Sequence, residues 1–260
     1  KYDLQSKQLK GTEKRDKYKV YGELINTYGY NLEPGSKELT ALNYYTNEEI
    51  TIPLDPTQTP GENAQRYFAK YNKQKRTFEA LTELIQETAD DIQYLESISN
   101  ALDIALSEAD LAQIKEELMQ SGYIRRKHTK KKVKLTSKPM HYISSDGYDM
   151  YVGKNNLQNE ELTFSFANGN DWWFHAKGAP GSHVIVKSGG DELPDRTFEE
   201  AGRLAAYYSK NRGADKVEID YIQKKHVKKP NGAKPGFVVY YTNYSLVIDS
   251  DISNIKNVQD

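Results

Sequence analysis

Residues 171–184 read D-W-W-F-H-A-K-G-A-P-G-S-H-V. An aromatic, strand-forming run is broken by Gly178, Pro180 and Gly181 and resumes as S-H-V-I-V-K-S, so the stretch is strand, turn, strand. Further strand candidates flank it at 140–145, 149–153, 216–223, 236–242 and 244–249, with helix candidates only at 155–167 and 196–210. Runs of strands with helices set between them predict an α+β domain with a mostly antiparallel sheet over residues 135–252. Alternation along 172–176 predicts that one of Trp172 and Trp173 faces the core and the other faces out.

Upstream the period changes. From residue 64, Ala64, Tyr67, Tyr71, Gln74, Phe78, Leu81, Ile85, Thr88, Ile92, Leu95, Ser99 and Leu102 recur by threes and fours, a heptad seam on a coiled-coil-type helix about 60 Å long. Such a seam needs a partner helix, expected upstream of Lys1, with residues 1–28 as its last part. If left uncovered, the seam of residues 64–102 offers a surface for self-association. Residues 1–60 predict a small α/β tip, with Tyr18, Tyr21, Leu24, Ile25 and Tyr28 at helical spacing before a short hairpin. Residues 61–122 hold the long helix and a short one capped by Ser107.

Charge divides the same way. Residues 1–122 hold 14 Lys and Arg against 21 Asp and Glu, whereas residues 123–260 hold 22 against 16. Residues 123–134, Y-I-R-R-K-H-T-K-K-K-V-K, carry no acid and predict a basic linker in which Arg125, Arg126 and Lys127 support contact with a polyanion. Zero cysteines exclude disulfides and thiolate metal sites. No apolar run reaches the 18 to 20 residues of a membrane-spanning helix, and no secretion signal stands in the first residues, which fits a cytoplasmic protein.

The chemistry of 171–184 admits several readings. His175 and His183 lie eight residues apart across a turn, with no metal-ligand spacing of the H-E-x-x-H kind, although Asp171 could serve as a third ligand. Ser182 lies outside any G-x-S-x-G elbow, and G-A-P-G-S lacks the G-K-[ST] of a phosphate loop. A hydrolase built on the two histidines would need their rings to converge beside a carboxylate. Nucleic acid suits the residues better: Gly178 lets backbone amides approach a phosphate, Lys177 supplies charge, Ser182 a hydroxyl, and His175 and His183 donors or stacking rings. A second basic turn, K-K-H-V-K-K-P-N-G-A-K-P-G at 224–236, adds Lys224, Lys225, His226, Lys228 and Lys229. Were both turns to open on one side of the sheet, they would make a basic rim.

These segments together, with A-A-Y-Y-S-K-N-R, V-E-I-D-Y and V-K-K-P-N-G-A-K-P-G-F-V-V-Y, resemble the NFACT-R domain. Y-G-E-L-I, I-P-L-D-P, N-A-Q-R-Y-F-A-K-Y-N-K-Q-K-R and Y-L-E-S-I resemble the coiled-coil and middle region of the same NFACT family, of the RqcH or fibronectin-binding protein A-like type. The resemblance implies a ribosome quality-control factor. Such a factor binds obstructed large ribosomal subunits and tRNA, and supports C-terminal alanine tailing of stalled nascent chains. The residues that handle tRNA in tailing belong to an N-terminal domain expected outside this chain. The chain is thus expected to supply binding to rRNA and tRNA, with no catalysis and no cofactor. The alternative, from the family's older name, is a surface adhesin with fibronectin as partner.

Overall fold

In a computed structural model, residues 1–125 and 137–258 are described; Arg126, Lys127 and the rest of the basic linker lie outside them. The chain divides into two compact units, Lys1–Asp91 and Ile92–Asp260.

In the first unit, α1 (Tyr2–Lys10) and α2 (Asp16–Tyr28) precede a hairpin of β1 (Glu38–Asn43) and β2 (Glu48–Pro53), and α3 (Pro60–Ile104) follows. β1 alternates strictly between exposed and buried, so Leu39 and Ala41, with Ile52 of β2, meet Leu24 and Ile25 of α2 and Ala64 of α3 in one small core. Thr59 and Glu62 bond reciprocally at the start of α3, and Pro60 takes the first helical position, where a missing N–H costs nothing. Gly22 lets α2 approach α3: a β-carbon there would lie 2.8 Å from the Phe68 ring.

The long helix forms as expected, but its seam is not a single surface. Positions 64, 67, 71, 74, 78, 81, 85 and 88 are buried or half-buried, with Tyr18 stacked on Tyr67 and Arg15 set 3.9 Å over the Phe78 ring. Beyond them Ile92, Leu95 and Leu102 are 43%, 43% and 49% exposed, while Tyr94, Ile98, Ala101 and Ile104 turn inward. A helix of 3.6 residues per turn drifts about 20° per heptad, so the buried side moves off a strict seven-residue line. Self-association through the whole of 64–102 is therefore corrected: the first two-thirds of that line is not exposed.

In the second unit, Ile98 and Ala101 pack on Ile114 of α4 (Glu108–Gln120). Ser107 caps α4, its Oγ accepting from the Asp110 amide, and Asp110 returns a bond to the Ser107 amide. Burial alone would raise the Asp110 pKa, but hydrogen bonds from Ser137, the Leu106 amide and Lys154 hold it at about 2. Ser107→Ala is expected to cost about 1 kcal/mol in chemical denaturation by removing the cap while leaving Asp110 paired with Lys154.

The sheet comprises β3 (Met140–Ile143), β4 (Asp149–Val152), β5 (Trp172–Ala176), β6 (Val184–Val186), β7 (Val217–Gln223), β8 (Tyr244–Ile248) and β9 (Lys256–Asn257). Their order is β8-β7-β5-β6-β4-β3-β9, and every pairing is antiparallel. The sheet thus continues past residue 252 to β9. One face holds Phe174, Val184, Val186 and Ile219 against Leu204 and Ala205 of α6 (Asp195–Tyr207). The other holds Trp173, Ile185 and Ile222 against Leu162 and Val227. That second cover comprises α5 (Asn156–Glu161), its widened turn Leu162–Phe166, and the chain from 227 to 240. Both tryptophans are therefore packed, Trp173 completely and Trp172 at the margin of the α6 core.

The expected strand at 236–242 does not form. Apart from one bridge between Lys228 and Val239, its backbone joins no ladder among the described residues; Val238 and Tyr240 instead pack over the second face. Gly236, at φ +76 and with its missing β-carbon 2.9 Å from Asn156, bends the chain down onto α5. Its amide donates to Glu160 at 3.3 Å.

Candidate nucleic-acid interface

The register places the two basic turns at opposite ends of the sheet. Trp172 pairs with Gln223 and Ala176 with Ile219, so the 177–182 turn leaves one end of β5 while Lys224 leaves β7 beside the other. The five residues of β5 separate them by about 13 to 17 Å. A single rim is thus corrected to two separate surfaces.

The first turn offers little to a macromolecule. Lys177 and Gly178 are exposed, Gly178 at φ +63, but the Lys177 ammonium donates to Glu218 at 2.6 Å. Ser182 and His183 are 1% and 2% exposed, and the Ser182 amide donates to Tyr208 O. Gly181 bridges to Ser209, leaving no room there for a phosphate against the backbone. Burial removes Ser182 and His183 from direct contact with a partner.

The histidine rings do converge. His175 and His183 lie 5.5 Å apart, edge to face, both beside Trp173. Their bonding is structural. The His183 Nδ1 lies 2.8 Å from Thr163 Oγ1, and its amide donates to Asn159. The nearby carboxylate, Asp220, accepts from Tyr240 at 3.0 Å and Ser245 at 2.6 Å. Among the described residues no group of three His, Cys, Asp or Glu is placed to hold a metal. The hydrolase reading loses its support here: the carboxylate is engaged elsewhere, and the neighbouring hydroxyls are buried.

Burial lowers the pKa of His175 to about 4, although Asp220 opposes the shift, and burial with the neighbouring His175 holds His183 well below its ordinary value. Unfolded histidines titrate near 6.5, so between that pH and the folded values the unfolded chain binds more protons and stability falls as pH falls. Urea titrations at pH 7 and pH 5 are expected to show the second unit losing up to about 1.4 kcal/mol per pH unit for each histidine.

The second turn is where charge stands free. Lys225, His226 and Lys228 are exposed, and among the described residues their side chains form no ion pair. Lys224 is half-buried, its ammonium 5.9 Å over the Phe164 ring, and Lys229 is exposed but donates to Glu160 at 2.6 Å. Sequence reasoning passed over Lys234 as a separate residue. Its ammonium stands 4.7 and 5.3 Å over the rings of Tyr94 and Tyr123 and donates to the Tyr123 hydroxyl at 3.0 Å. That contact sets the 224–236 turn beside the chain leading to exposed Arg125, and no spacing in the sequence signals it.

Residues 1–137 match the model for NFACT N-terminal and middle domains, and residues 138–241 that for the NFACT protein RNA binding domain. The chain is 42% identical over 260 residues to the Rqc2 homolog RqcH of Streptococcus pneumoniae serotype 2 (strain D39 / NCTC 7466), covering all of this chain and 47% of that protein. It is 40% identical over 256 residues to the Rqc2 homolog RqcH of Bacillus subtilis (strain 168), covering 96% of this chain and 44% of that one. The chain spans about half the length of the curated relatives it matches. Among solved structures, the C-terminal part of the fibronectin/fibrinogen-binding protein from Streptococcus suis aligns at a TM-score of 0.70 with 36% identity, over 97% of this chain and 90% of that one.

Proposed function

The chain belongs to the NFACT family, and on that premise we propose that it supplies the ribosome- and RNA-binding part of a cytoplasmic ribosome quality-control factor. The observation that carries this reading is the exposure of Lys225 and Lys228, without an ion pair among the described residues, within the segment that matches an RNA-binding domain. Its partners would be the rRNA of an obstructed large subunit and tRNA, and its role non-catalytic, in support of alanine tailing. Within the site we assign phosphate contact to Lys224, Lys225, His226, Lys228 and Lys229, with electrostatic support from Arg125, Arg126 and Lys127 of the basic linker, the last two of which lie outside the described residues. Lys177 and Gly178 form a separate, weaker contact at the other end of the sheet. Among the described residues no helix is long and apolar enough to cross a membrane.

Co-sedimentation of the chain with purified large subunits carrying peptidyl-tRNA tests this reading. Pelleting that exceeds pelleting with empty subunits supports it; equal recovery in the absence of ribosomes contradicts it. The name of the Streptococcus suis protein favours fibronectin as a second partner. Immobilised fibronectin retaining the chain under conditions where RNA does not would favour the adhesin.

A further inference from the structure

The loop between Lys228 and Val239 is closed by its own backbone: the two residues exchange amide-to-carbonyl bonds of 2.9 and 2.8 Å. Gly236 seats the loop on α5. A β-carbon there would lie 2.9 Å from that of Asn156, so only glycine lets the chain settle at this point. Asn156 and Glu160 stand four residues apart on one face of α5, so the same seating lays the Glu160 carboxylate along the loop. Its Oε2 accepts from the Lys229 ammonium at 2.6 Å and from the Gly236 amide at 3.3 Å. Lys234, between them, is held over the Tyr94 and Tyr123 rings by contacts of its own. The bridge, the Gly236 contact and Lys234 thus set the path of the loop, and the Glu160–Lys229 pair is an addition to that frame.

What the pair adds is charge compensation inside the basic turn. Lys225 and Lys228 are exposed with no ion pair among the described residues, whereas Lys229, the next cation along, is neutralised by a carboxylate from another element. The two paired side chains are 31% and 32% exposed, so water and salt screen the contact, and a pair of this kind is weak enough for another anion to exchange with it. A phosphate oxygen makes the same charge-assisted bond to an ammonium that the carboxylate makes. Carboxylate and phosphate therefore compete for Lys229. A Glu160 that has been displaced still stands beside the incoming phosphate as a like charge.

We propose that Glu160 is an autoinhibitory group of the basic turn: its carboxylate occupies Lys229 in the free chain and must be displaced before an RNA phosphate can take that ammonium. This rests on the RNA-binding reading and adds to it a competitor built into the fold. The test titrates the full chain against a fluorescein-labelled oligouridylate, by anisotropy at several salt concentrations. Glu160→Gln keeps an oxygen to accept from the Gly236 amide and removes the charge. It is expected to strengthen binding roughly fivefold near 0.1 M salt and to steepen the slope of log K against log salt by about 0.7, one phosphate contact on a single strand. Glu161→Gln removes the same charge one residue along, from an exposed side chain with no ion pair among the described residues, and is expected to stay within about twofold of the parent chain. Lys229→Gln is expected to weaken binding less than about twofold in the parent chain and roughly fivefold in the Glu160→Gln background, a difference that a purely structural role of Glu160 would not produce. Three results each overturn the proposal: Glu160→Gln binding no tighter than the parent chain, an equal gain in Glu161→Gln, or the same cost of Lys229→Gln in both backgrounds. If Lys225→Gln with Lys228→Gln still weakens binding in those cases, the RNA-binding reading stands. A parent chain that does not bind the RNA overturns both.

Discussion

Replacing Lys224, Lys225, Lys228 and Lys229 together with glutamine is expected to weaken RNA binding about 100-fold near 0.1 M salt and to lower the slope of log K against log salt by about two to three units. Each phosphate neutralised contributes about 0.7 to 0.9 to that slope, and near 0.1 M the same contact is worth somewhat less than one decade in affinity. Four full contacts would therefore exceed 100-fold. Lys229 already spends part of its charge on Glu160, and Lys224 is half-buried over Phe164, which reduces the total. The loss should be uniform across RNA sequences, because phosphates carry no sequence information. Anisotropy titrations at several salt concentrations measure both quantities. An unchanged slope would remove this turn from the interface, whatever the change in affinity. Lys177→Gln is the internal comparison: its ammonium is occupied by Glu218 at the far end of β5, so it should move the slope by well under one unit.

Trp173→Ala is expected to destabilise the second unit by about 3 to 5 kcal/mol, the range for emptying a fully buried aromatic position. The ring is wedged among His175, His183 and Tyr240 at 5.6, 5.1 and 4.9 Å, contacts that join the sheet to the 227–240 cover. Its loss therefore loosens the segment that carries the basic turn as well as the core. The indole N–H is buried and, among the described residues, finds no hydrogen-bond partner, so Trp173→Phe should cost less than its volume alone suggests: the smaller ring leaves a gap but removes an unsatisfied donor. Urea unfolding followed by fluorescence suits the test, since Trp172 is then the chain's remaining tryptophan and sits at the margin of the opposite core. A cost below about 1 kcal/mol for the alanine variant would mean that the second cover is not held through this ring.

What was legible in the sequence follows from which forces act locally. The strands at 140–143, 149–152, 172–176 and 217–223 show in their aromatic and β-branched alternation, and α6 shows in its apolar face, because each buries a side set by a short-range period. The 236–242 run has the same composition, yet its destination depends on Gly236 closing against Asn156, a contact between residues eighty apart. The seam of α3 was readable where α2 and its neighbours cover it and misleading beyond Asp91, where α4 sets the inward side.

The site divides similarly. Residue types mark the lysines of 224–229 and Lys177 as charge, but Glu160 engages Lys229 and Glu218 engages Lys177, and each of these partners is remote in sequence. His183 and Ser182 carried functional-looking chemistry in a turn, and antiparallel pairing with its backbone ties to Tyr208 put them inside.

The most direct measurement is crosslinking of the protein to RNA in cells, with sequencing of the bound species. The account predicts recovery of large-subunit rRNA and tRNA, with crosslinked peptides from 224–244 and the recovery reduced in the four-lysine variant. Recovery of no RNA above background, with the protein retained instead on fibronectin, would contradict it.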